Sequence, residues 1–285
     1  MVNPLLRGVE PFCNFYFVEL DMSVRGKSGF ITRRGGALAL VVFSGLILAG
    51  CQNRTAQLDN DPISTASISP STPSFKRTEE LGKRWKSDPA NVAVAAAYAT
   101  SLEALGQKPT QLEVLRTTAQ NTRGDAAAQG KLGRLMMAAG DPAGAEELLS
   151  RAVSINPQDA QSLSALGAVL DQQTKHSEAR EKYQAALAIA PNDMGIINNL
   201  AMSYALQGKL PEAEATLRKA IAHPNGRNMP RIRQNLALVV GLSGRFDEAK
   251  RIASEDLPPD QVQANVEFLQ QMLSRPNTWA QLQNG

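Results

Sequence analysis

Residues 160–193 read AQSLSALGAVLDQQTKHSEAREKYQAALAIAPND, and their pattern decides the fold. Leu163, Leu166, Gly167 and Leu170 follow one another at intervals of 3, 1 and 3, which puts them on one stripe of a helix. Ala179, Tyr183 and Ala186 mark a second helix, and Pro191 prevents it from continuing. Helix axes approach to about 8 Å only where the facing side chains are small. Gly167 facing Ala179 therefore predicts a closed helical hairpin, with Tyr183 filling the gap toward the following unit.

The same scheme returns at a step of 34: Leu132–Gly133, Leu166–Gly167 and Leu200–Ala201 keep it, as do Ala145, Ala179 and Ala213, and Ala152, Ala186 and Ala220. Unit 126–159 adds Met136, Leu149 and Pro157, with Gly140 as the turn between its helices. The unit from 194 to about 227 adds Ile197, Tyr204, Gly208 and Leu217. A further match through Leu236, Ala237, Val240, Gly244, Ala249 and Ala253 is displaced by 36, and the two extra residues fit a longer loop through Asn225, Gly226, Arg227 and Asn228. A divergent unit comes first, with Tyr98, Ala99, Leu102, Gly106 and Leu115, but with Gln111 where alanine is expected. A step of 34 with these residue types is identified as that of tetratricopeptide repeats. The resemblance implies an all-α fold, a right-handed superhelical solenoid of antiparallel helix pairs, whose surface binds other proteins.

The expected organisation follows. Residues 75–91, with Leu81 and Trp85 ahead of Asp88 and Pro89, form an N-terminal capping helix resembling the second half of a broken unit. Residues 92–257 hold about five repeats. Pro258 and Pro259 open a C-terminal capping helix over 258–275, where Val262, Val266, Leu269, Met272 and Leu273 have helical spacing, and 276–285 is a tail. Terminal units are atypical because one face must meet water.

Residues 1–50 end in a secretory signal: Arg33 and Arg34, an apolar run from Ala37 to Leu48, then small residues. That run is too short to span a bilayer. Leu48, Ala49, Gly50 and Cys51 resemble the bacterial lipoprotein box, which implies lipidation of Cys51 after cleavage. Gln52 at the next position implies sorting to the outer membrane, by the convention of that class. Met22 would give the signal a conventional length of about 29 residues ahead of Cys51, and is the expected start. Residues 51–74 are rich in Ser, Thr, Pro, Asp and Asn, too polar to offset their ordering entropy. As a tether they would span on the order of 25 Å.

Charge and chemistry exclude several classes. The 30 basic and 27 acidic residues nearly cancel, which is not the footprint of a nucleic-acid binder. The two cysteines, Cys13 and Cys51, both precede the repeats, so no disulfide framework supports them. His176 and His223 stand without a partner at ligand spacing, so no metal is expected, and each reads as a surface or capping residue. Nucleophile elbows and phosphate loops are absent, so the chain reads as a non-enzyme without cofactor or small-molecule substrate. Glu178 with Lys182, and Glu214 with Arg218, are four apart and read as helix-stabilising ion pairs. Trp85 and Trp279 lie outside the clear repeats, where packing or fraying competes with docking.

The repeat resemblance further implies that the second, fifth, ninth and twelfth positions of each unit line a protein-binding groove. Here these are Arg134 and Met137, Gln161, Ser164 and Asp171, Asn198 and Met202, and Arg231 and Gln234. For each one alone, simple solvent exposure is the competing reading. The recurring Lys, Arg and Asn of the family's carboxylate clamp occur only in part, so capture of a terminal carboxylate is not expected.

The box, the tether, the repeats and the ending Asp256-Leu-Pro-Pro-Asp260 followed by Asn265 together resemble the TadD family, lipoproteins of tight-adherence (Flp) pilus assembly. That resemblance implies a lipid-anchored scaffold on the periplasmic face of the outer membrane. Its protein partners would be the pilus secretin or other secretion components. A general envelope-assembly or pilotin-like lipoprotein, serving another secretion or outer-membrane insertion system, is the alternative.

Overall fold

The computed structural model describes residues 75–274. The signal, Cys51, the tether and the tail lie outside the described residues. Within them stand twelve α-helices and no strand. Helix α1 (Phe75–Ser87) leads into five pairs: α2 (Val92–Ala104) with α3 (Lys108–Asn121), α4 (Ala126–Ala138) with α5 (Pro142–Ile155), α6 (Ala160–Gln172) with α7 (His176–Ile189), α8 (Met194–Leu206) with α9 (Leu210–Ala222), and α10 (Pro230–Leu242) with α11 (Phe246–Ala253). Helix α12 (Pro259–Ser274) ends the series. This is the expected tetratricopeptide-repeat solenoid.

Local chemistry repeats with the same period as the core. Asn91, Asp125, Asp159 and Asp193, spaced by 34, each stand just before a first helix and accept hydrogen bonds from its opening N–H groups. Where the step becomes 36, Met229 takes the cap position with no side-chain bond, and Pro230 opens α10 with a residue that has no N–H to satisfy. Each pair turns through one residue of positive φ: Gly106, Gly140, Thr174, Gly208 and Gly244. The residue after each turn donates its N–H back to the first helix, as in Asp141 to the Met136 carbonyl at 2.9 Å and Lys175 to the Leu170 carbonyl at 2.9 Å.

Small residues set how closely each pair closes. Ala145, Ala179 and Ala213 have 0% exposure. A Cβ built on Gly167 would stand 3.0 Å from the Ala179 carbonyl oxygen and 2.8 Å from Cε1 of Tyr183. The Tyr183 ring therefore covers Gly167 of its own hairpin, and it lies in one buried cluster with Ile196 of the following unit. First helices also pack on first helices: α2 on α4, α4 on α6, α6 on α8 and α8 on α10. They form one continuous layer, and α12 continues it by packing on α10.

The ends and the irregular loop are tied down by polar contacts. In α1, Gly82 receives the Tyr98 ring, and Trp85 Nε1 donates to Thr118 Oγ1 at 3.0 Å. Trp85 is thus a packing residue. At the longer loop, Arg233 of α10 donates to the Arg227 carbonyl and grips both oxygens of Asp256, Nε to Oδ2 at 2.8 Å. One guanidinium thereby fixes the two extra residues and the turn leading to α12. Of the two expected helix pairs, Glu214 with Arg218 forms at 2.7 Å, whereas Glu178 and Lys182 make no ion pair among the described residues.

Thr174 breaks the glycine column with a φ of 62°. A β-branched residue there carries roughly 1–2 kcal/mol of left-handed strain, partly offset because glycine loses more freedom on folding. Thr174→Gly should raise the urea-unfolding free energy by about 0.5–1 kcal/mol, with Thr174→Ala giving no comparable gain. Equal midpoints for Thr174→Gly and the parent would show that the turn is unstrained.

Candidate interaction surface

The nine groove positions read from the sequence all fall on the first-helix layer, in α4, α6, α8 and α10, but they do not present alike. Gln161 is exposed, and Arg134, Arg231 and Gln234 are half-buried. Met137, Ser164, Asp171, Asn198 and Met202 are buried in the free chain, because neighbouring first helices cover them. Stacking turns a line of polar positions into a ladder between units. Gln161 Nε2 donates to Asp193 Oδ2 at 2.9 Å, Asn199 Nδ2 to Ser164 Oγ at 3.4 Å, and Asn235 Nδ2 to Asn198 Oδ1 at 2.7 Å. Buried polar groups demand such partners, since an unmade bond costs about 1–3 kcal/mol.

Asp171 is the most heavily used of these residues. Its Oδ2 accepts from the Tyr183 hydroxyl at 3.0 Å, and its Oδ1 from Ser203 Oγ at 2.8 Å, with His176 Nδ1 also 2.8 Å away. The contact with Ser203 joins α6 to α8, in the next unit. It stands where the apolar core divides, one cluster ending around Tyr183, Ala186 and Ile196 and the other beginning with Met194 and Ala201. Arg180 lies at the same junction, 5.2 Å above the Tyr204 ring centre. His176 is thus a hydrogen-bond partner inside the hub rather than a plain surface residue. Serine, histidine and aspartate together invite a nucleophilic reading, but Ser203 bonds to the carboxylate and not to the imidazole. No imidazole stands beside its hydroxyl to activate it, and it is fully buried, out of reach of a substrate.

Paired and unpaired charges stand on both sides of the helix pairs: among the described residues, Arg233 on the first-helix side is paired, and Lys182 on the second-helix side is not. On the second helices and their turns, Arg116 pairs with Asp141, Lys175 with Glu146, and Arg218 and Arg245 with both Glu214 and Glu248. On the first helices, Lys131, Arg134 and Arg231 form no ion pair among the described residues. Burial lowers the Arg134 guanidinium below its usual range, and the Asp159 charge opposes this from beyond pairing distance. Nε of Arg231 is covered and has no hydrogen-bond partner among the described residues. These are donors without acceptors, placed on a face that could receive another chain.

The sequence reading missed the capping aspartates, although their step of 34 was visible, and missed Asn199, Ser203 and Asn235. No local pattern marks the last three, whose bonds reach 35, 32 and 37 residues along the chain.

Two tetratricopeptide-repeat family models match, one over residues 90–160 and 130–194 and the other over 194–222. An uncharacterised protein of Sinorhizobium fredii, y4yS, is 29% identical over 175 residues, covering 60% of this chain and 86% of the relative. Among solved structures, a tetratricopeptide-repeat protein of Parabacteroides merdae is similar with a TM-score of 0.53 at 12% identity, over 68% of this chain and 77% of that one. A thermophilic repeat protein of Thermus thermophilus gives 0.51 at 22% identity, over 62% of this chain and 98% of that one. At such identities the structures share the fold alone.

Burial raises the Asp171 carboxyl above its ordinary 3.8, and the bonds from His176, Ser203 and Tyr183 hold the rise back. The folded chain thus takes up this proton before the unfolded one does. The contribution of Asp171 to stability should improve as pH falls through the folded-state value and level off below the unfolded one. Asp171→Asn should remove that component, read as the difference between the two chains in urea unfolding from pH 7 to pH 4. A difference independent of pH would exclude titration of Asp171. Asp171→Ala, which orphans its buried donors, should cost about 2–4 kcal/mol at pH 7.

Proposed function

We propose that this tetratricopeptide-repeat solenoid is a membrane-tethered periplasmic scaffold of the TadD type, serving tight-adherence (Flp) pilus assembly. The observation that carries the reading is the set of uncommitted donors on the first-helix layer. Arg134 and Arg231 are half-buried on the first-helix layer and form no ion pair among the described residues. A face with uncommitted donors suits a protein ligand, and tetratricopeptide repeats as a class bind protein partners. The work is binding and not catalysis. Lipid on Cys51 would hold the chain at the outer membrane, since each buried methylene contributes about 0.8 kcal/mol. The polar residues 51–74 would let the repeats reorient toward a secretin or another secretion component.

Two measurements test the two halves of this proposal. Cys51→Ser should move the protein from the membrane fraction to the soluble one, and a protein that stays with the membranes rules out the lipid anchor. Co-purification from membranes followed by mass spectrometry should recover a secretin. Recovery of outer-membrane insertion machinery alone would replace the pilus reading with that of a general envelope-assembly lipoprotein.

A further inference from the structure

Helix α12 packs on α10 where a sixth first helix would stand, and a cleft remains between them. At one end Leu269 presses on Gly241, where an added Cβ would meet Leu269 Cδ1 at 2.6 Å. Further toward the start of α10 a cleft of about 40 Å³ remains, walled by Leu238, Ala253, Val266 and Leu269 and rimmed by the carboxamides of Gln234, Asn235 and Asn265. The volume suits a small aliphatic side chain.

The polar groups around this cleft are not used up. Asn235 donates to Asn198, which joins the cleft to the rest of the first-helix layer. The carboxamides of Gln234 and Asn265 make no hydrogen bond among the described residues. A carboxamide presents a donor beside an acceptor, the pair that an extended backbone offers in return. Arg231 precedes Gln234, Asn235 and Leu238 by 3, 4 and 7 residues, so it lies on their stripe of α10. Its charge has no ion pair among the described residues, which leaves the half-buried guanidinium open to an anion.

Building on the reading of this face as a partner-binding surface, we infer that the cleft between α10 and α12 binds an extended peptide segment of a partner protein, an aliphatic side chain in the cleft and a neighbouring carboxylate side chain on Arg231. The spacing follows from geometry. The centre of the cleft lies about five residues along α10 from Arg231, roughly 7.5 Å at 1.5 Å per residue. An extended peptide covers that in about two or three residues at roughly 3.3 Å each. The separation between the acidic and aliphatic positions of the partner is therefore part of the inference.

The probe is a set of nine-residue peptides in a Gly/Ser background, amidated at the C-terminus, with one Val, Ile or Leu and one Asp or Glu placed one to five positions apart. Binding to the full chain in detergent micelles should peak at a separation of two or three. The best peptide should lose about tenfold in affinity with Arg231→Met, and a similar amount with Ala253→Val, which fills the cleft. Arg134→Met should leave it unchanged. A set that shows no binding, or no preference for separation, overturns the inference. So does a loss with Arg134→Met but not with Arg231→Met, which would move the ligand elsewhere on the layer and leave membrane co-purification to judge the wider reading. Should Ala253→Val unfold, Arg231→Met decides. A photo-crosslinker in place of Gln234 should capture the peptide. Crosslinks to residues 275–285 or to a second copy would assign the cleft to the chain itself and overturn the inference.

Discussion

The contact on which the structure depends is the close approach of two helices at a column of very small residues. Gly167 against the Ala179 carbonyl leaves no room for even one more carbon. The alanines at 145, 179 and 213 are fully covered for the same reason. Once each pair is closed at that distance, the next pair has one place to stack, and the turn and cap must recur at the same interval. The capping aspartates and the positive-φ turns keep the period of the core because both are set by the length of helix that the small-residue contact allows.

Deviations from the period are absorbed by specific polar contacts. The two residues added before α10 displace the aspartate cap. Proline at the first helical position and the Arg233 fork to Asp256 take over the work of fixing that helix. The arginine also ties the irregular loop to the turn that aims α12, so the loop and the cap helix are mechanically one feature. A buried carboxylate gripped by a planar guanidinium needs this geometry, because either group alone would be costly to cover.

Between units the polar ladder does what apolar packing does within them. At the junction of α6, α7 and α8 the apolar core is interrupted, and Asp171 with Tyr183, Ser203 and His176 spans the gap. Directional bonds of this kind hold register where apolar contacts would tolerate sliding. The same polar residues that suggest a groove when read along the sequence are thus partly consumed in holding the solenoid together. What remains for a partner is the set of donors left over at Arg134, Arg231, Gln234 and Asn265.

By itself the sequence determined the helical pairs, their step of 34, the place where it becomes 36, and the capping helix that begins at the paired prolines. These follow from neighbours within one turn or one hairpin: small residues where axes meet, glycine where the chain turns, proline where a helix stops. Thr174 shows the limit of that logic, since it holds a glycine's conformation without a glycine's signature. Only the tertiary structure decided which polar residues are free. Asp171 and Asn198 look like groove residues until the next unit is stacked, whereupon Ser203 and Asn235 claim them. Gln234 keeps its capacity at the cleft that α12 leaves open, and Arg231, one turn earlier on α10, forms no ion pair among the described residues. The reason is one of range: helix formation is governed by residues a few positions apart, whereas the accessibility of a donor depends on side chains some 35 residues away, whose meeting no local spacing encodes.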